Sequence, residues 1–119
     1  MRRLIFVLTG ALVLILSGCT KYQIPKADCP EDLPINVSFS GDIQPIFNAN
    51  CVACHSGGQS PDLREGWAYD ELIDGGYVDI DFPCESKIIQ VFSGTHGGRA
   101  TDDEVLTILG WIDEGAHDN

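Results

Sequence analysis

The chain has 119 residues, with 18 acidic against 7 basic side chains and a formal net charge of −11. A single small domain is all that this length accommodates, and so negative a field repels phosphate backbones, which excludes nucleic acid as a partner. The acidity suits either a partner with a basic face or plain solubility.

Arg2 and Arg3 precede an apolar run from Leu4 to Leu16, and Ser17 and Gly18 lead into Cys19. This is the layout of an export signal over residues 1–18; the run is short for a bilayer span, which takes about 20 residues. The ending Leu16-Ser17-Gly18-Cys19 resembles a bacterial lipobox. That resemblance implies that Cys19 is acylated, becomes the new N-terminus and anchors the chain to a lipid bilayer of the cell envelope, facing the periplasm or the cell surface, with the outer membrane as a guess by analogy. A secretory signal cleaved without lipid and a retained helix are the alternatives. Removal of residues 1–18 leaves 18 acids against 5 bases, a formal charge of −13. It also leaves Cys29, Cys51, Cys54 and Cys84 in an oxidising compartment.

Residues 19–37 hold three prolines and no sustained periodicity, and read as a tether. The compact unit is placed at 38–117. Ser40 is a plausible N-cap for a short helix carrying Ile43, Ile46 and Phe47 at helical spacing, with Pro45 close enough to its start to be tolerated. After the Cys51-Val52-Ala53-Cys54-His55 run comes a Gly, Ser and Pro loop, then a short helix near Trp67 to Asp74 closed by Gly75 and Gly76. A further helix is expected from Glu85 to Phe92. The clearest element begins at Thr101, with Glu104 completing a capping box, and runs through the apolar stripe of Val105, Ile108, Leu109 and Ile112 to Gly115. No stretch alternates for long like a strand, so the fold class is all-α. A unit of this size buries only about 60% of its unfolded surface and is marginal unless something else fills its core.

Two thiols at i and i+3 share one side of a helical turn, which is the spacing for adding across the two vinyl groups on a haem edge, and the next residue, His55, then points its imidazole at the iron. Cys-x-x-Cys-His is the attachment signature of a c-type haem. A thioredoxin-like dithiol belongs beside a βαβ pattern that is not found here. Structural zinc needs a fourth donor, which only Cys29, Cys84, His96 or His117 would supply from elsewhere. A plain Cys51–Cys54 disulfide leaves His55 without a role.

The run from Asp42 to Gly58, the Pro61-Asp62-Leu63 triplet and the closing Thr101–Ala116 segment resemble a monohaem class I cytochrome c of the short lipoprotein-anchored kind. The resemblance covers about Ser38 to Ala116 and implies a small helical domain wrapped around one covalent haem c. It implies that the Pro61 carbonyl accepts the ring N–H of His55, that Leu63 packs on the haem, and that the first and last helices cross near its edge through Ile43, Phe47, Ile108, Leu109 and Ile112. A ligand imidazole needs that second hydrogen bond to fix its tautomer whatever its ancestry.

The family pattern has a methionine shortly before the last helix, where this chain reads Ser93-Gly94-Thr95-His96-Gly97-Gly98. Met1 is the sole methionine. His96 is therefore the expected second axial ligand, which lowers the potential relative to methionine. The alternatives are a five-coordinate or water-bound iron, His117 near a frayed end, or Lys87. Cys29 and Cys84 are expected to pair, because exported chains seldom leave two thiols free.

The leading functional expectation is a carrier of single electrons between redox proteins of the envelope that have basic docking faces, steered by residues such as Asp79, Asp81, Asp102 and Asp103. A haem open to small gases or peroxide, and an accessory haem module of a larger complex, are the competing readings. No pair of carboxylates stands out for acid–base catalysis.

Overall fold

The computed structural model describes residues 29–119. The expected export signal at 1–18, the expected anchor Cys19 and the first part of the segment read as a tether lie outside them. No strand occurs among the described residues. Four α-helices, α1 (Gln44–Asn50), α2 (Ala68–Asp74), α3 (Lys87–Gln90) and α4 (Asp102–Asp113), are joined by loops and short helical turns.

The chain enters α1 through a π-helical turn, Phe39–Ile43, capped by Ser38 rather than by Ser40. Ser38 Oγ accepts the Gly41 N–H at 3.1 Å, and the Ser38 N–H reaches Asp42 Oδ2 at 2.8 Å. Ser40 is unavailable as a cap because its hydroxyl donates to the Asn119 carbonyl at 2.8 Å. Pro45 falls within the first turn of α1, where its missing N–H costs nothing. The wide turn delivers Phe39 and Ile43 into the core beside Ile46 and Phe47.

α2 ends as expected at Gly75. A Cβ there would run into the Glu71 carbonyl and the Tyr77 ring, and Gly76 follows with φ +66°. The single helix expected over Glu85–Phe92 is instead three pieces: a 3-10 turn at Pro83–Glu85, α3, and a second 3-10 turn at Val91–Ser93. Ser86 causes the break. Its backbone is extended (ψ 133°) and its buried hydroxyl accepts the Asp79 N–H at 2.9 Å instead of capping α3.

α4 carries the complete Thr101–Glu104 capping box. Ile108, Leu109 and Ile112 are buried, and so is Trp111, which lies off the predicted stripe. Two segments cover that side. Pro34 presses its carbonyl against Gly110, Glu114 takes the N–H groups of Asn36 and Val37 at 2.7 and 2.9 Å, and the Phe39 ring lies 5.2 Å from that of Trp111. Residues 34–37, read from sequence as the end of the tether, are thus packed on the domain. The end read as frayed is also tied down: Trp111 Nε1 donates to the His117 carbonyl at 2.9 Å and Tyr69 Oη to that of Ala116 at 3.0 Å. Cys29 and Cys84 form a disulfide, as expected.

Candidate cofactor site

The last turn of α1 runs on into the Cys-x-x-Cys-His segment. The N–H groups of Cys51 and Val52 both reach the Phe47 carbonyl, at 2.9 and 3.0 Å, and those of Cys54 and His55 reach the Cys51 carbonyl, at 3.1 and 3.0 Å. This winding sets Cys51, Cys54 and His55 on the lining of one cleft of about 310 Å³. Pro61, Leu63 and Leu72 extend its apolar wall, and Ile88, Phe92 and His96 come from α3 and the turns after it. All six residues expected at the site, Cys51, Cys54 and His55 from their spacing, Pro61 and Leu63 from the family resemblance and His96 as the candidate second ligand, line this one space.

His55 is buried, at 8% exposure. Its Nδ1 lies 3.0 Å from the Pro61 carbonyl, which can only accept, so Nδ1 carries the proton and Nε2 is the nitrogen left bare for a metal. The acceptor is itself fixed. The Leu63 N–H bonds the His55 carbonyl at 2.9 Å, and Gln44 Nε2 holds the Leu63 carbonyl at 2.9 Å. Arg64 clamps Asp62 in the same loop.

The His96 ring stands 5.9 Å from that of His55, centroid to centroid, with 41° between the planes. Thr95 Oγ1 lies 2.9 Å from its Nδ1, which leaves Nε2 as the ring nitrogen without a hydrogen-bond partner among the described residues. A metal–imidazole bond of about 2.0–2.1 Å plus about 1.1 Å from nitrogen to ring centre, taken twice, comes to about 6.2–6.4 Å, a few tenths of an ångström beyond the observed separation. The separation of the two rings is thus close to what a metal ion held between two imidazoles requires. Of the other candidates for that position, His117 does not line the cleft, and Lys87 Nζ lies 5.7 Å over the Tyr77 ring.

Burial pushes the Cys51 thiol above its ordinary range, and the nearby Glu104 carboxylate adds to the rise. Cys29 and Cys84 are committed to each other, so neither offers a free thiolate to complete a zinc site with Cys51, Cys54 and His55. Glu104 is held below the usual carboxylate range, chiefly by the Thr101 N–H and further by the Asn50 amide and the Thr101 hydroxyl. Its 3.0 Å bond to Asn50 Nδ2 ties the end of α1 to the start of α4 at the rim of the cleft. Tyr77, Thr95 and Arg99 also line the cleft and were not singled out from sequence. Arg99 left a signal that sequence reading passed over: a lone cation, in an acidic chain, three residues beyond His96.

Among known proteins, the chain is similar to "Cytochrome c6, chloroplastic" of Chlamydomonas reinhardtii, at 31% identity over 78 residues, 61% of this chain and 52% of that protein. It is also similar to "Cytochrome c6" of Chlorolobion braunii, at 29% identity over 83 residues, 62% of this chain and 88% of that protein. The chain thus spans about half the length of the first relative. No family model matches the chain, and no solved structure matches it. The likeness supports a monohaem class I cytochrome c domain, and the paired thiols, the two neighbouring imidazoles and the apolar walls fit one covalently attached haem c.

Proposed function

We propose that this chain is a c-type cytochrome that carries single electrons between redox partners. Cys51 and Cys54 would hold one haem c by thioether bonds, and His55 and His96 would be the side chains that bind its iron. The observation that carries this reading is the pair of imidazoles 5.9 Å apart in a cleft that also receives both thiols. When bound, the haem supplies a one-electron iron couple. The chain's own contribution is to hold that couple unchanged in coordination. Pro61 fixes the His55 tautomer, and Leu63, Leu72 and Ile88 keep water from the iron's surroundings, which sets the dielectric and hence the potential. With His96 where relatives of the class use methionine, the potential lies lower than a His/Met pair gives.

The setting belongs to the same proposal. The signal layout at 1–18 supports export, and the Leu16–Cys19 ending supports a lipid anchor on Cys19 at the cell envelope, the tether continuing from there. The acidic surplus supports partners with basic docking faces.

Absorption spectra of the exported protein, oxidised and reduced, with a pyridine haemochrome assay, test the cofactor; one haem c per chain is expected. Colourless material from a host competent to attach haem removes the proposal. His96→Ala is expected to change the optical and magnetic spectra and to open the iron to carbon monoxide. Spectra matching the parent remove His96 from the axial pair, and rapid binding of carbon monoxide or peroxide by the parent favours a ligand-binding haem instead.

A further inference from the structure

Five large apolar side chains are exposed among the described residues, and two of them, Ile80 at 58% and Phe82 at 49%, stand two positions apart in the segment between α2 and α3. Singly exposed apolar residues are ordinary on a protein surface. These two differ in how firmly their backbone is held. The Ile88 N–H bonds the Tyr77 carbonyl at 3.1 Å and closes the base of a loop. Above that base the buried Ser86 hydroxyl takes the Asp79 N–H at 2.9 Å, and Asp79 Oδ1 accepts the N–H groups of both Asp81 and Phe82 at 3.0 Å. Cys84 then bonds the loop to Cys29. Side chains on so fixed a backbone have little freedom to turn inward, and a surface ordered in advance loses little entropy when a partner covers it.

The surrounding charge says what kind of partner that is. Asp81 and Glu85 lie in the loop, and Glu31 and Asp32 closely follow Cys29, which the bridge brings beside it. All four are exposed, and none of their carboxylates is ion-paired among the described residues. Lys87, the base nearest in sequence, lies over the Tyr77 ring. A second copy of this chain would set the same acids face to face, and the negative potential of an anionic bilayer repels them. We propose that the loop over residues 79–86 is a docking surface for another protein, one that presents an apolar spot ringed by Lys and Arg. Ile80 and Phe82 form the dry centre of the contact and the free carboxylates its rim. Residues 78–87 do not line the cleft, whereas Tyr77 and Ile88 at the loop's base do, so a protein seated here is held beside the cleft without entering it. This gives a seat to the basic partners proposed above, and it stands on the loop rather than on what fills the cleft.

The test uses the full chain, produced in its own cells with p-benzoylphenylalanine in place of Phe82, irradiated and analysed by mass spectrometry, the identified partner then being purified. One discrete protein is expected, cross-linked through a segment rich in Lys or Arg and able to bind the unlabelled chain. That binding should weaken about tenfold or more in an Asp81→Lys, Glu85→Lys double variant, and also for the parent in about 0.5 M salt, where the Debye length is about 4 Å. An Ile80→Ser, Phe82→Ser double variant should weaken it at low and high salt alike. Urea midpoints equal to the parent's separate lost docking from lost folding, and the salt dependence of the parent needs no variant at all. Cross-links to lipid only, to a second copy of the chain only, or to nothing overturn the inference, as does binding indifferent to salt or to charge reversal. The haemochrome assay on the same material reads the haem proposal separately, so that either fails without the other.

Discussion

His55 and His96 share a cleft but are held to different degrees. His55 is buried, its ring tied to Pro61 and its backbone to Leu63. The hydrogen bonds around His96 are all local, running among residues 91 to 99, and its ring partner is the exposed neighbour Thr95. If both imidazoles hold the iron, as proposed, any exchange of ligand would begin on the His96 side. Away from the cleft, the most informative single residue is Glu114, whose carboxylate takes the N–H groups of Asn36 and Val37 and is held by them below the usual carboxylate range. A folded value below the unfolded one means that its contribution is fully present above the ordinary carboxylate range and is lost as pH falls through the folded value. Glu114→Gln is accordingly expected to lower the urea midpoint at pH 7. The gap to the parent should narrow as pH falls through the ordinary carboxylate range and close only below the depressed folded value, where both side chains are neutral. A gap of the same size at pH 7 and below that folded value would assign the loss to shape rather than charge.

Among the elements, α4 does most to organise the domain, because it presents Ile108, Trp111 and Ile112 to the core and its first turn reaches Asn50 through Glu104. Thr101→Ala removes the acceptor for the Glu104 N–H and is expected to cost about 1 kcal/mol, read as a lower urea midpoint at unchanged slope. This helix and α2 were legible in the sequence because their signals are local: a capping box in one, a glycine stop in the other. The entry to α1 and the break before α3 were not. Asn119, about 80 residues away in sequence, diverts Ser40 and leaves the cap to Ser38, while Asp79 takes the hydroxyl of Ser86. The burial of Trp111 likewise depends on segments 34–39 and 116–119, which no helical period records. The cleft residues were legible to the extent that chemistry demands fixed spacing, as in Cys51-x-x-Cys54-His55 or a lone histidine in a glycine loop. Arg99 has no such spacing rule, and only the folded wall shows it as the single charge there.

For the molecule as a whole, two devices offset the small size of the unit. The first is the Cys29–Cys84 bridge, which closes 55 residues of chain including α1, the Cys-x-x-Cys-His turn and α2. Closing a loop of that length is worth about 4 kcal/mol in the chain-entropy model. A Cys29→Ser, Cys84→Ser double variant is expected to lose about that much in urea titration while keeping the haem spectrum, because neither cysteine lines the cleft. The second device is the occupant of the cleft. At about 24 cal/mol per Å³, leaving 310 Å³ empty and dry would cost on the order of 7 kcal/mol. Solvent entering the open side makes that an upper bound, but it is comparable with the whole stability of a domain, about 5–15 kcal/mol. The core cluster includes Phe47, Leu63, Leu72 and Ile88, each of which also faces the cleft, so without a filler these side chains lose packing on one side. A Cys51→Ala, Cys54→Ala chain, unable to retain haem covalently, is therefore expected to keep much of its far-UV circular dichroism but lose the near-UV signal of the Phe39–Tyr69–Trp111 cluster. The disulfide double variant should keep both signals. A sharp near-UV spectrum and an undiminished urea midpoint in the Cys51→Ala, Cys54→Ala chain would show that the polypeptide closes its core unaided.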